Sequence, residues 1–569
     1  MTLELQSCGI VAPNDNPWPI IDSIIRGDRK PPQAAYENDL KIVRKTWSSL
    51  LPQRKELLHL LSRFSLSPDQ ARRWFRENDR VKSTTTVVSD AEILTNPYRI
   101  CETDLGDVIE QPVAVETIDR GLLPEDTVAA RHPVAEPSAV GSPNDARRLR
   151  AALVSVLRSA DDTGDTLLSA TECIERVTAL ELVPPCSISL DWIDAHSPDM
   201  EKVVERLELL VDPQKDVRIT ALQLTESRGI EDRLRSVLRA RAAKPLPSLG
   251  EDWAAMITSA IKEAGQSCDA NNLRHQSALK EQAAALERVT TRKLSALVGR
   301  AGTGKSSVVG ALLRCKKLAS EGILLLAPTG KARVRLGKTA SGEAKTVAQF
   351  LYELERYDAR YQRPLFTGNR HRKEKTVVID ECSMLTAETL AALLDALDLV
   401  HVQRLILVGD PNQLPPIGAG RPFADLVAMF DGATESTLPE VSQLAAALGR
   451  LTVEVRTSAG GPSDTLRLAS WYTRERQPVD ADRVLSDLQR GIPFNDLTVC
   501  FWETPDELKG RLLEQFKKHL GISGPKDVAG FDAALGLDEK GWVPDFDAKG
   551  VENFQVLSPV RMHAYGCMT

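Results

Sequence analysis

No two of the nine cysteines stand in a CxxC spacing; they are scattered at Cys8, Cys101, Cys173, Cys186, Cys268, Cys315, Cys382, Cys500 and Cys567. That pattern indicates neither a zinc site nor a disulfide framework nor a cysteine-held iron–sulfur cluster, and it fits a reducing cytoplasm. No stretch approaches the roughly 18 apolar residues needed to span a bilayer. The opening MTLELQSCGIVAPNDNPW lacks a basic segment followed by an apolar core, so it does not read as a signal peptide. Positive charge is not in excess either: 72 Lys and Arg stand against 79 Asp and Glu, a net charge of −7. This excludes a surface coated in DNA-binding charge, but leaves room for a narrow basic channel, because phosphate contacts act over about a Debye length. Internal repeats and low-complexity tracts are also missing.

What is present describes an ordinary globular protein, 42% hydrophobic and 27% charged. A chain of 569 residues is too long for one core, and at about 100–200 residues per domain it calls for three or four. The first 270 or so residues read as mainly helical, as one helical domain over 1–140 and a second over 141–270. Ser67-Pro68-Asp69-Gln70 is a helix start, with a Ser cap, Pro at the first position and Gln closing a capping box. Ser169 with Glu172 makes a second. The Pro/Ala/Ser-rich stretch from about Thr127 to Pro143 reads as a linker, and Lys244–Gly250 as a further break. After Leu294 the pattern changes to short apolar runs (LSALVG, GILLLAP, TVVIDE, RLILVGD) alternating with helical segments. Such runs are strands buried on both faces of a parallel sheet, so residues 271–440 read as an α/β domain.

Gly299-Arg-Ala-Gly302-Thr303-Gly304-Lys305-Ser306 fits G-x-x-x-x-G-K-[ST] without a mismatch, directly after an apolar strand and before a helix. Glycines let backbone N–H groups close on phosphates, and the helix start adds positive potential. Lys305 is expected on the β/γ-phosphates of ATP and Ser306 on Mg²⁺, with Ser307 completing the nucleotide-binding turn. Val377-Val-Ile-Asp380-Glu381 ends a strand in two carboxylates, Asp380 for Mg²⁺ and Glu381 to polarise the attacking water. Cys382 reads as a small buried neighbour.

The surrounding strings narrow the class. Leu405-Ile-Leu-Val-Gly409-Asp410-Pro-Asn-Gln413-Leu-Pro-Pro416 resembles the third motif of superfamily 1 helicases, in which the glutamine senses the γ-phosphate. Ala327-Pro328-Thr329-Gly-Lys331-Ala resembles motif Ia, which touches single-stranded DNA, and Thr346 matches a threonine that helps hold it. Gln282 sits where the family places its adenine-reading glutamine, and Arg456 resembles the motif IV arginine finger. Together these resemble the RecD-like branch, superfamily 1B. The resemblance implies a P-loop, RecA-like fold, ATP and Mg²⁺ as cofactors, and 5′→3′ movement on single-stranded DNA or on a duplex with a 5′ overhang. Ile93-Leu-Thr-Asn96-Pro97-Tyr98-Arg99 is similar to a string in RecD-like helicases that work without RecB and RecC, where a helix–hairpin–helix element follows. Here TDLGDVIEQPVAVETIDRG lacks the expected pair of glycines.

Residues 356–375 hold seven Lys/Arg, two acids and two tyrosines. The family places a duplex-splitting pin in this interval; a solvated basic loop is the other reading, and both stand. The resemblance implies a second RecA-like domain, which 441–569 would hold in part: Asp496–Phe501 reads as a strand, Asp506–His519 as a helix and Phe554–Arg561 as another strand. Strings resembling motifs V and VI do not follow, so the sequence reads either as a fragment or as a variant that lost its motor's second half. Two functions remain open: a helicase in repair, recombination or defence, and an ATP-switched DNA-binding or scaffold protein. Residue types alone do not separate DNA from RNA.

Overall fold

The computed structural model describes all residues except 1, 13–14, 108–109, 197–199, 201, 213–214, 264, 266–271, 301, 341–342, 435–437, 456–462, 473–481, 539–541, 543–556 and 559–569. The chain divides into two compact units, Met1–Arg456 and Thr457–Thr569.

The centre of the first unit is a six-stranded parallel sheet. Its strands are β4 (Leu294–Gly299), β5 (Ile323–Ala327), β6 (Lys345–Thr346), β9 (Thr376–Ile379), β10 (Arg404–Gly409) and β11 (Leu448–Leu451), in the order β11-β4-β10-β9-β5-β6. The apolar runs form strands because both faces are covered. Leu294, Ala296 and Val298 of β4 and Leu405 and Leu407 of β10 join one core. The residues between them, Leu297, Ile406 and Val408, join another on the opposite face. The helices Leu273–Thr290 and Lys305–Arg314 cover the second face, and Ala387–Ala396 and Pro422–Thr434 the first. Thr225–Ala242 and Trp253–Glu263 also belong to this layer, since Leu234 and Leu238 join one core and Trp253 and Ile257 the other. The α/β layer therefore reaches back well before residue 271.

Upstream, one apolar core runs from Leu57 to Leu224, straight through the boundary expected near residue 140. A smaller core gathers Leu5, Ile24, Ile25, Leu40 and Trp47. The region is mainly helical, as read, but it also holds a three-stranded antiparallel sheet in the order β1-β3-β2: β1 (Leu167–Ser169), β2 (Val204–Asp212) and β3 (Val217–Leu224). The capping box at Ser67 starts the helix Pro68–Phe75, and Ser169 caps Ala170–Thr178. The expected linker at 127–143 is instead packed structure. Ser138 is buried and donates its hydroxyl to Leu94 O at 2.7 Å, and Arg63 and Arg147 donate to the carbonyls of His132 (2.8 Å) and Ala139 (2.6 Å).

The string around Tyr98 forms part of this scaffold. Tyr98 is fully buried and donates to Asp119 Oδ1 at 2.6 Å, while Arg148 grips the same carboxylate at 2.7 and 2.9 Å.

The described residues of the second unit contain helices and no strand: Asp464–Ser470, Asp482–Gln489, Pro505–Leu520 and Val528–Ala534. The helix expected at 506–519 forms. The strand expected at 496–501 does not, because Asp496 accepts from the N–H of Asp464 at 2.8 Å and from the Ser463 hydroxyl, tying it to the start of a helix. The expected strand at 554–561 lies almost wholly outside the described residues.

Candidate nucleotide site and nucleic-acid edge

Because the six strands are parallel, their carboxyl ends share one edge, and the chemistry collects there. The phosphate loop links β4 to the helix Lys305–Arg314, whose N-cap is Gly304 with φ +89°. A Cβ at Gly304 would stand 2.3 Å from Gln282 Nε2, and one at Gly299 would stand 2.4 Å from Thr303 Oγ1. Both positions thus need glycine, and Gly302 (φ +87°) also adopts the left-handed form. Gln282 is buried beneath the loop and donates to Thr303 O at 2.9 Å. Ser306 is exposed and Ser307 half-buried in the first turn of the helix. Lys305 Nζ donates to the loop's own carbonyls, at Gly299 O and, at 3.2 Å, at Arg300 O. Burial pushes its ammonium below the usual lysine range; Asp410, then Glu381 and Asp380, pull the other way.

Asp410, whose charge acts on Lys305, is not singled out by the sequence reading. It ends β10, the strand between β4 and β9, and is buried. Its Oδ1 accepts from Asn412 N at 3.0 Å and its carbonyl from Gln413 N at 3.1 Å. A carboxylate ending the strand next to the phosphate loop was the available signal. Gln413 itself is exposed in the turn that follows.

Asp380 and Glu381 close β9 at the same edge. Burial, and then the charge of Glu381, pushes the Asp380 carboxyl above the usual carboxylate range. Glu381 adopts φ +53°, a left-handed backbone uncommon for a non-glycine residue. One of its oxygens is held by Arg335, and the other, Oε2, is buried without a hydrogen-bond partner. Arg335 also lies 3.7 Å from Asp380 Oδ2. The sequence reading missed Arg335; it lies four residues after Lys331 on the helix Gly330–Ala340, so the two share a face.

A glycine cradle, a helix N-terminus, a lysine and a carboxylate pair with an orphaned buried oxygen fit a nucleoside triphosphate with its divalent cation. Ser306, in the first turn after the loop, and Asp380, after β9, are the residues that could hold that cation. Two protein ligands suffice for Mg²⁺, which keeps several waters and takes phosphate oxygens.

Further along the edge, β5 and β6 end side by side, with Ala327 opposite Thr346. Thr329 Oγ1 accepts from Ala332 N at 3.2 Å, and Thr346 Oγ1 from Gln349 N at 3.0 Å, so each threonine starts a helix. Pro328 is half-buried and Lys331 exposed beside them. The structure thus puts these four residues at the ends of two neighbouring strands, while Gln282 bonds the phosphate loop.

The segment leaving β11 runs back over the loop. Glu281 accepts from Thr452 N at 2.9 Å and from Val453 N at 3.0 Å, and Val455 N donates to Gly302 O at 2.9 Å. Arg456 lies outside the described residues.

In the basic interval 356–375, β7 (Tyr357–Asp358) and β8 (Arg363–Pro364) form a short antiparallel hairpin. Arg356 is buried on Asp395 at 2.8 Å. The tip is tied to the upstream domain: Arg360 lies 3.8 Å from Asp107, and Arg363 donates to Lys82 O. Among the described residues no helix is long and apolar enough to cross a membrane.

Residues 277–459 match the family model of an AAA domain. An ATP-dependent RecD2 DNA helicase of Deinococcus radiodurans is 29% identical over 318 residues, covering 54% of this chain and 39% of its own. The RecBCD enzyme subunit RecD of Mycolicibacterium smegmatis is 32% identical over 200 residues, covering 31% of this chain and 35% of its own. In both cases the match spans well under half of the relative. A crystal structure of Pif1 helicase from Candida albicans overlaps 41% of this chain and 54% of its own at 19% identity, with a TM-score of 0.24, too loose to carry an argument. Residues 277–459 therefore carry an AAA-type P-loop domain, and over this region the chain is similar to RecD2 and RecD proteins.

Proposed function

We propose that the chain hydrolyses ATP and uses it to move 5′→3′ along single-stranded DNA, as a RecD-like helicase acting in repair, recombination or defence. The observation that carries this reading is the common edge. It holds a glycine cradle with Lys305, two acidic strand ends (Asp380-Glu381 and Asp410), and Pro328, Thr329, Lys331 and Thr346. The relatives, an ATP-dependent DNA helicase and a RecBCD subunit, point the same way.

In this reading the N–H groups of Gly302, Gly304 and the first helical turn bind the phosphates, and Lys305 leaves its loop carbonyls for the β/γ-phosphates. Ser306 and Asp380 would hold a Mg²⁺, whose charge would offset that developing on the phosphates. Glu381 orients the attacking water and accepts its proton, and Gln413 reads the γ-phosphate from the turn beside Asp410. Gln282, bonded to Thr303 O, lies close enough to the loop to couple base recognition to its shape. Arg456 serves as the arginine finger. Thr329, Lys331 and Thr346 take the phosphodiester backbone, and the hairpin at 357–364 meets the duplex.

The test is strand separation on duplexes with a single-stranded 5′ or 3′ overhang, with ATP and with Lys305→Ala as control. Unwinding confined to the 5′-overhang duplex and lost in Lys305→Ala supports the reading. Equal or reversed polarity would rule out the direction assigned.

A further inference from the structure

The proposed chemistry requires Glu381 to face water, yet in this structure one of its carboxylate oxygens belongs to Arg335. Four observations bear on that contact. Arg335 Nη2 reaches both carboxylates, bonding Glu381 Oε1 and lying 3.7 Å from Asp380 Oδ2. Its side chain is 55% exposed, whereas that of Glu381 is 13% exposed, so the arginine can leave while the glutamate cannot. Glu381 is held at φ +53°, and its second oxygen is buried without a hydrogen-bond partner. Finally, Arg335 sits on the helix that begins at Gly330, capped by Thr329, and β5, which leads into that helix start, pairs with β9, which leads into Asp380 and Glu381. Lys331 lies one turn ahead on the same face.

The geometry points to Arg335 as a latch: it restrains Glu381 and Asp380 until a nucleic-acid backbone, arriving at Thr329 and Lys331, draws the guanidinium away. This rests on the proposed ATPase reading and adds to it the device by which DNA would stimulate hydrolysis. A guanidinium pairs with a phosphodiester as readily as with a carboxylate, and the helix start follows the strand next to the one that carries the carboxylates Arg335 already reaches. Arg335 acts through Glu381, so it is a positioning residue. The helix Gly330–Ala340 is the shared element through which DNA occupancy and Mg²⁺-nucleotide occupancy bias each other.

The test uses the full chain and two readouts. ATP turnover is measured with and without a deoxythymidine oligomer for wild type, Arg335→Ala, Arg335→Lys and Lys305→Ala. Separately, binding of a fluorescent non-hydrolysable ATP analogue is titrated against Mg²⁺. A half-exposed ion pair supports an effect of about fivefold. Arg335→Ala should therefore raise DNA-free turnover about fivefold and cut the stimulation by DNA by the same factor. It should also lower the Mg²⁺ half-point about fivefold, because Asp380 and Glu381 lose their competing cation. Arg335→Lys, which keeps a charge to pair with, should restore the low DNA-free rate. Equal loss of turnover with and without DNA would make Arg335 a catalytic group and overturn the latch; so would an unchanged rate together with an unchanged Mg²⁺ half-point. Wild-type turnover that is absent, or that survives Lys305→Ala, would sink the ATPase reading instead. The Mg²⁺ titration needs no turnover and still judges the latch in that case.

Discussion

Replacing Arg148 by leucine should open the upstream core while leaving the nucleotide site intact. Arg148 is fully buried, and its guanidinium grips both oxygens of Asp119, itself 2% exposed at the side chain. It also donates to Pro143 O at 2.9 Å and to Pro184 O. Removing it strands a buried carboxylate with Tyr98 as its remaining side-chain partner, at a cost of about 3–5 kcal/mol. The two orphaned carbonyls add about 1 kcal/mol each. Against a domain stability of about 5–15 kcal/mol this is a large fraction. A chain of several units does not melt in two states, so the assay is hydrogen exchange on peptides from the buried stretch Leu149–Leu157. Their protection should fall by at least about a hundredfold, 1.36 kcal/mol being a factor of ten. The double variant Arg148→Leu with Asp119→Leu should recover most of the loss, because no charge is then left unpaired. Protection unchanged in Arg148→Leu, or a double variant that loses as much as the two single ones summed, would refute the reasoning.

Two further outcomes follow from burial and backbone geometry. Gly304→Ala forces a Cβ to within 2.3 Å of Gln282 Nε2 at φ +89°. Strain of about 1–2 kcal/mol should weaken nucleotide binding roughly tenfold, read by titration with a fluorescent ATP analogue. Asp161 has its carboxyl pushed up to about 7, chiefly by burial, beside Ser227 Oγ at 3.2 Å. Its folded pKa lies above its unfolded one, so the stability it contributes is present in acid and is lost as pH rises from about 4 to about 7. Asp161→Asn should flatten that window in the hydrogen-exchange protection of the helix Ala146–Asp162, corrected for intrinsic exchange, and raise protection at pH 8 by up to about a thousandfold. A wild-type protection profile that is flat between those values would contradict the assignment.

The nucleotide site was legible in the residues because its parts are local. Glycines at fixed spacing and strands ending in carboxylates announce themselves within a few positions, and the fold brings Lys305, Asp380 and Glu381 to one edge as read. The partners that sit on those residues were not legible. Arg335 meets Glu381 across 46 residues of sequence, and Asp410 faces Lys305 only because β10 lies between β4 and β9. Upstream, composition misled. Residues 127–143 have the Pro, Ala and Ser content of a linker, but arginines at 63 and 147 take up their carbonyls. Val203, Val204, Leu207, Leu210 and Val211 follow helical spacing, yet β3 pairs with this segment and holds it as a strand. Asp496 begins a run that looks strand-like, and its carboxylate is drawn instead to a helix start.

The central claim is tested most directly by ATP hydrolysis of the full chain with and without single-stranded DNA, with Lys305→Ala alongside. Turnover that DNA strongly stimulates and Lys305→Ala abolishes is the predicted result; nucleotide binding with turnover indifferent to DNA would contradict it.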